Sequence, residues 1–128
     1  MAIRIVQLGS PRMKNEGLRI GTVRRPPRGV PKSEFASRDF YDVWLPQLAP
    51  SDELLKKGRS SQTQKEWQSF LKGYRSEMSC PEVSRVLDLL AALSHSTFFS
   101  VGCYCKDERH CHRLALRALL AERGALLI

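Results

Sequence analysis

With 128 residues, 42% of them hydrophobic, and a net charge of +8, the chain has the size of one core-forming domain, 1–128, with too little left over for a second. No run of about 18 apolar residues occurs and Met1 to Ser10 lacks a small-residue cleavage site, so neither a membrane span nor a secretory signal is expected, and the expected location is cytoplasmic. Four cysteines, three of them crowded between Cys103 and Cys111, suit reduced thiols or a metal better than disulfide staples.

Almost all of the charge sits at the start: residues 1–32 carry eight Lys/Arg against Glu16 alone. That asymmetry points to an anionic ligand or nucleic acid as partner. Ala2 to Leu8 reads as a strand turned by Gly9-Ser10-Pro11, and Leu18 to Arg24 as a second strand burying Leu18, Ile20 and Val23. The three prolines of Arg25-Pro26-Pro27-Arg28-Gly29-Val30-Pro31 remove backbone donors, so this is a stiff surface loop presenting Arg25 and Arg28. Asp39 to Leu45 reads as a weak strand. Ser51 caps a short helix ending near Gly58, Gln62 to Met78 carries Trp67, Phe70, Leu71 and Tyr74 at helical spacing, and Pro81 opens a helix through Leu93. Thr97 to Cys103 is a β-rich run, His110 to Arg123 an amphipathic helix stopped by Gly124, and Ala125 to Ile128 a last short strand. Alternation of strands and helices predicts an α/β fold: one three-layer domain with a mainly parallel sheet flanked by helices.

The segment Cys103 to Arg113 joins a strand end to a helix start, the place where open α/β sheets bind ligands. Cys111 is expected in the first helical turn, where free N–H groups lower a thiol pKa, with Arg113 beside it to hold an anion. Cys103 and Cys111 are the thiol candidates, His110 or His112 the proton carrier, and Arg25, Arg28 and Arg113 the anion clamps. As plain packing, Cys103 would end a buried strand and Cys111 would meet Leu114, Ala115 and Ala118. Together with Cys105, these cysteines and histidines make five soft donors suited to zinc, but C-x-C-x5-C-H is not a familiar zinc pattern, and two cysteines one residue apart on a strand face opposite ways. No residue is therefore assigned as a metal ligand. The Cys103-x5-Arg109 spacing of a thiolate phosphatase loop lacks the glycines such a loop needs.

Cys103, Lys106-Asp107, His110-Cys111-His112-Arg113 and the trailing Leu119 to Gly124 resemble the C-terminal signature of the domain-of-unknown-function family 488. Trp44-Leu45-Pro46, Leu48-Ala49-Pro50-Ser51, Trp67 with Phe70 and Tyr74-Arg75, and the Arg25 to Gly29 loop resemble its YeaO-like branch. The resemblance implies a compact α/β fold with parallel strands and no particular activity, and Cys105 stands where the family has glutamate. Three functional readings follow: an enzyme acting on a phosphate-bearing or nucleotide-like ligand at the Cys/His/Arg turn, a non-catalytic nucleic-acid-binding domain, and a thiol-based metal or redox site. Reaction, substrate and oligomeric state are not specified by the sequence.

Overall fold

The protein is described from a computed structural model of residues 1–128. Four strands, β1 (Ile3–Gln7), β2 (Leu18–Gly21), β3 (Val43–Trp44) and β4 (Phe99–Cys103), form one sheet in the order β1-β4-β2-β3, every pairing parallel. Four helices accompany it: α1 (Asp52–Arg59), α2 (Gln64–Met78), α3 (Pro81–Leu93) and α4 (Arg113–Glu122). The expected parallel α/β architecture is what the chain adopts.

The last strand in sequence is a central strand in space. Phe99 lies opposite Ile3 on one side and Leu18 on the other, and Val101 lies opposite Ile5 and Ile20. All five residues of β4 are buried, the pattern of a strand covered on both faces. Alternation then sorts its side chains. Phe99 and Val101 join Ile3, Ile20, Phe70, Tyr74, Leu116 and Leu120 in the main core that the helices supply. Ser100, between them, turns the other way and donates to the Glu16 carboxylate (2.8 Å), which also takes the Nε and Nη2 donors of the fully buried Arg19 (2.8 and 3.0 Å).

Several boundaries move, each for a local reason. The β2 ladder ends at Gly21 rather than Arg24: the Thr22 N–H still bonds to the Gly102 carbonyl (2.9 Å), and beyond it the Arg24 side chain donates to the carbonyls of Ala49 and Pro50 (3.0 and 3.1 Å). Ile20 and Val23 are buried as expected, but Leu18, at the start of the strand, is 57% exposed. The weak third strand shrinks to two residues, and the C-terminal one to a single bridge between Ile3 and Leu127. Ser51 caps α1 by accepting from the Leu54 N–H, and Gly124, at φ +81°, stops α4. That helix begins three residues later than the periodicity suggests. Asp107 caps a separate 3-10 turn at Glu108–His110, and Cys111 is extended (φ −142°, ψ 153°). Cys111 is therefore not in the first helical turn. No helix is long and apolar enough to cross a membrane.

Candidate functional site

Cys103 ends β4, His112 stands immediately before α4, and the eight residues between them form the turn at the carboxyl end of the sheet. Gly102 makes the close packing there possible: a Cβ at this position would lie 2.6 Å from the Val6 carbonyl oxygen of β1. The Gly102 carbonyl accepts both the Thr22 N–H and the Thr22 hydroxyl, each at 2.9 Å, which fixes Thr22 just past β2. Three potential donors, Cys103, Cys111 and His112, are buried together with their ligand atoms all within 4.8 Å of one another. Cys105 is exposed, yet its sulfur lies 3.8 Å from that of Cys103.

The objection that alternate residues of a strand face opposite ways does not apply, because β4 ends at Cys103 and Cys105 lies on the following turn. The guanidinium of Arg113 supports that turn from below, donating from Nη2 to the Cys105 carbonyl at 2.5 Å. His112 is oriented just as firmly. Its Nε2 lies 2.9 Å from the Thr22 carbonyl, which can only accept, so Nε2 carries the proton. The lone pair of Nδ1 is then left facing the Cys111 sulfur, 3.7 Å away.

The three clustered thiols do not hold their protons alike. Hydrogen bonds with Cys105 and Cys111, with burial added, push the Cys103 thiol far above its ordinary range. Donation from Cys103 first, then from Cys111, with the charge of Arg113 assisting, lowers Cys105 despite partial burial. Cys111 is lowered too, chiefly by its hydrogen bond with Cys103. Hydrogen bonding within the cluster therefore raises Cys103 and lowers Cys105 and Cys111.

The remaining predicted residues separate into two groups. His110 does not join the thiols: exposed, it is held by Asp107 (Nδ1 to Oδ2, 3.0 Å) and leans toward Trp67, ring centroids 5.6 Å apart. Two adjoining grooves of about 390 and 430 Å³ share Gln64, Trp67 and His110, and neither is lined by a cysteine. Arg113 is 3% exposed, so it is a buried tie to the turn rather than an open clamp, although its Nε has no partner. Arg25 is exposed and paired with Asp52 (3.0 Å), and Arg28 is exposed and forms no ion pair. Their loop reaches the turn through the Tyr104 hydroxyl, which donates to the Arg25 carbonyl at 2.9 Å. Cys80 stands apart at the start of α3. Thr22 and Tyr41 are participants the sequence did not signal: Thr22 orients His112, and Tyr41 packs with Cys103 and Cys111 while its buried hydroxyl lacks a partner. Thr22 meets His112 across 90 residues of chain, and no local pattern marks such a pairing.

The profile described as "Active DUF488-N3 subclade" matches residues 3–124, nearly the whole chain. This chain belongs to the DUF488 family. In this DUF488 protein the cysteine-histidine-arginine triplet at 111–113 is thus a junction: one residue for the thiol cluster, one for its imidazole, and one for the turn above them. No curated protein and no solved structure matches the chain.

Proposed function

We propose that this DUF488 protein is a thiol-dependent enzyme in which Cys105 is the reactive group and Cys103 its partner thiol. The carrying observation is geometric: of two cysteines whose sulfurs lie 3.8 Å apart at the carboxyl end of the sheet, Cys103 is buried and Cys105 is exposed. An electrophile can reach Cys105 without unfolding the turn, and the adjoining Cys103 thiol donates a hydrogen bond to its sulfur. The description of the matching subclade as active agrees with a working site. His112 and Cys111, buried beside the pair, supply an oriented proton-accepting nitrogen and a third sulfur. The substrate class that fits the surroundings is an anion-bearing electrophile, because the Arg25 to Arg28 loop is tied to the same turn through Tyr104.

The nucleic-acid reading has less behind it. Four of the eight cations in residues 1–32 are engaged internally: Arg19 by Glu16, Arg12 by Asp42, Arg25 by Asp52, and Arg24 by two backbone carbonyls. What is left is a scattered charge rather than a phosphate-tracking stripe.

Alkylation of reduced, chelator-treated protein, followed by peptide mapping, tests the enzyme reading. Cys105 is expected to react at least about tenfold faster than Cys80, which is also exposed but has no neighbouring thiol. Anionic iodoacetate should favour Cys105 over Cys80 more strongly than neutral iodoacetamide does. Equal rates at Cys105 and Cys80 would remove Cys105 from the reactive role.

A further inference from the structure

The cluster has a dimension the thiol chemistry leaves unused. In a tetrahedral zinc site, with bonds of about 2.3 Å to sulfur and about 2.0 Å to nitrogen, neighbouring sulfurs are about 3.8 Å apart and a sulfur and a nitrogen about 3.5 Å apart. Two edges of such a tetrahedron are already present: Cys103 Sγ to Cys105 Sγ at 3.8 Å, and Cys111 Sγ to His112 Nδ1 at 3.7 Å. The two edges belong to one cluster, because Cys103, Cys111 and His112 keep their donor atoms within 4.8 Å of each other.

A second, independent feature concerns the imidazole. Zinc-bound histidines commonly donate their other ring N–H to a carbonyl, which fixes the tautomer and aims the free lone pair at the metal. His112 meets that description through Thr22: Nε2–H is spent on the Thr22 carbonyl at 2.9 Å, with the Thr22 hydroxyl at 3.2 Å, leaving Nδ1 toward the sulfurs. Thr22 is itself locked by Gly102 of β4, so the imidazole is braced by two strands of the sheet.

From these distances and this orientation we infer that the protein binds one zinc ion through Cys103, Cys105, Cys111 and His112. Three soft sulfurs and one imidazole are a donor set that selects zinc over the harder divalent cations, which take oxygen ligands in larger number. Binding puts a metal bond on each of the three sulfurs, and any S–H proton still held there leaves to solvent. Burial divides the ligands into two kinds. Cys103, Cys111 and His112 are enclosed and hold the ion in the fold, whereas Cys105 closes the fourth position from the solvent side on a turn supported by Arg113. Cys105 is the ligand that can leave or react while the other three keep the metal. The inference rests on the cluster being the functional centre, and it makes the reactive thiol of the proposed enzyme a zinc-bound thiolate.

The test is metal content and cobalt substitution on the full chain, purified reduced and without chelator. Zinc by elemental analysis is expected at about one ion per chain, and cobalt(II) added to stripped protein should give the strong visible bands of a tetrahedral site with thiolate-to-cobalt charge transfer. Because buried ligands can be needed for folding, the informative variants are the two at exposed cysteines. Cys105→Ser should lower the charge-transfer intensity by about a third, as three thiolates become two, and weaken zinc binding at least about tenfold. Cys80→Ser should change neither. Absence of stoichiometric zinc together with a cobalt spectrum lacking thiolate bands overturns the inference, as does a Cys105→Ser protein indistinguishable from the parent. The alkylation experiment on stripped protein is separate: selective Cys105 reaction without metal binding would leave the thiol reading standing alone, and stoichiometric zinc with unselective alkylation would leave the metal site alone.

Discussion

Two clusters of buried polar groups lie between β2 and β4, and they are built on opposite principles. On one face, Glu16, Arg19 and Ser100 close upon themselves. Arg19 donates to both carboxylate oxygens of Glu16 and to the carbonyls of Ser10 and Asp39 (2.8 and 2.7 Å), while Glu16 also accepts from Ser100 and the Met13 N–H. At the carboxyl end of the same strands, the thiol cluster keeps capacity in reserve: sulfurs that share protons, an imidazole nitrogen facing only sulfur, an Arg113 Nε and a Tyr41 hydroxyl without partners. A satisfied buried network specifies the fold, and an unsatisfied one is where a ligand completes the bonding. The difference teaches that burial of polar groups alone does not mark function; the surplus of donors and acceptors does.

The largest effect should come from breaking the closed cluster. Burial alone would raise the Glu16 carboxyl, but hydrogen bonds from Arg19, Ser100 and Met13 outweigh it and hold the group at about 2. Glu16→Gln leaves the Arg19 charge buried and uncompensated, and stability by urea unfolding should fall by about 3 to 5 kcal/mol with alkylation selectivity at Cys105 retained in the folded protein. The sign with pH follows from the depressed folded-state value: the Glu16 contribution is complete above its ordinary 4.5 and is lost as pH falls toward about 2. Acid unfolding of the parent should therefore include a component in that window which Glu16→Gln lacks. If Glu16→Gln costs less than about 1 kcal/mol, the closed cluster is not a keystone of the fold and the contrast fails.

The parts of this arrangement that were legible in the sequence were the local ones. Alternating strand and helix patterns gave the parallel fold, Ser51 and Gly124 marked helix ends, and the density of Cys and His between 103 and 112 coincides with the buried Cys103, Cys111 and His112 cluster. Its geometry was not legible, because it depends on where local structure stops. A strand ending at Cys103 rather than passing through Cys105, and a helix starting at Arg113 rather than His110, decide which sulfurs meet and which histidine joins them. The closed cluster was invisible for a different reason: Ser100 and Glu16 are 84 residues apart and only the β2–β4 register brings them together.

Arg113 belongs partly to each kind of cluster, and its substitution sharpens the comparison. As a buried tie to the Cys105 carbonyl it acts structurally, while its unsatisfied Nε belongs to the open site. Lysine keeps the charge but loses the planar fork, so Arg113→Lys should lower stability by about 1 to 2 kcal/mol, the scale of one charge-assisted hydrogen bond, and loosen the turn that carries Cys105. The preference for Cys105 over Cys103 in alkylation should fall accordingly. Unchanged stability combined with loss of the iodoacetate preference would instead make the guanidinium an anion clamp first and a tie second.

The smallest expected effect lies at the basic loop, where the contrast between engaged and free cations can be read one residue at a time. Arg25 shares its charge with Asp52, while Arg28, two prolines further along, is exposed without an ion pair. Arg28→Ala removes a solvated charge and nothing packed, so unfolding stability should move by no more than about 0.5 kcal/mol. What should change is attraction for anions: retention on heparin should end at a lower ionic strength, with the salt dependence reduced by about one released counterion. Because the loop is tied to the turn through Tyr104, the iodoacetate preference at Cys105 should fall in the same variant. A drop in heparin retention with that preference intact would separate the loop from the site, leaving Arg28 as surface charge and the thiol cluster to recruit its substrate without it.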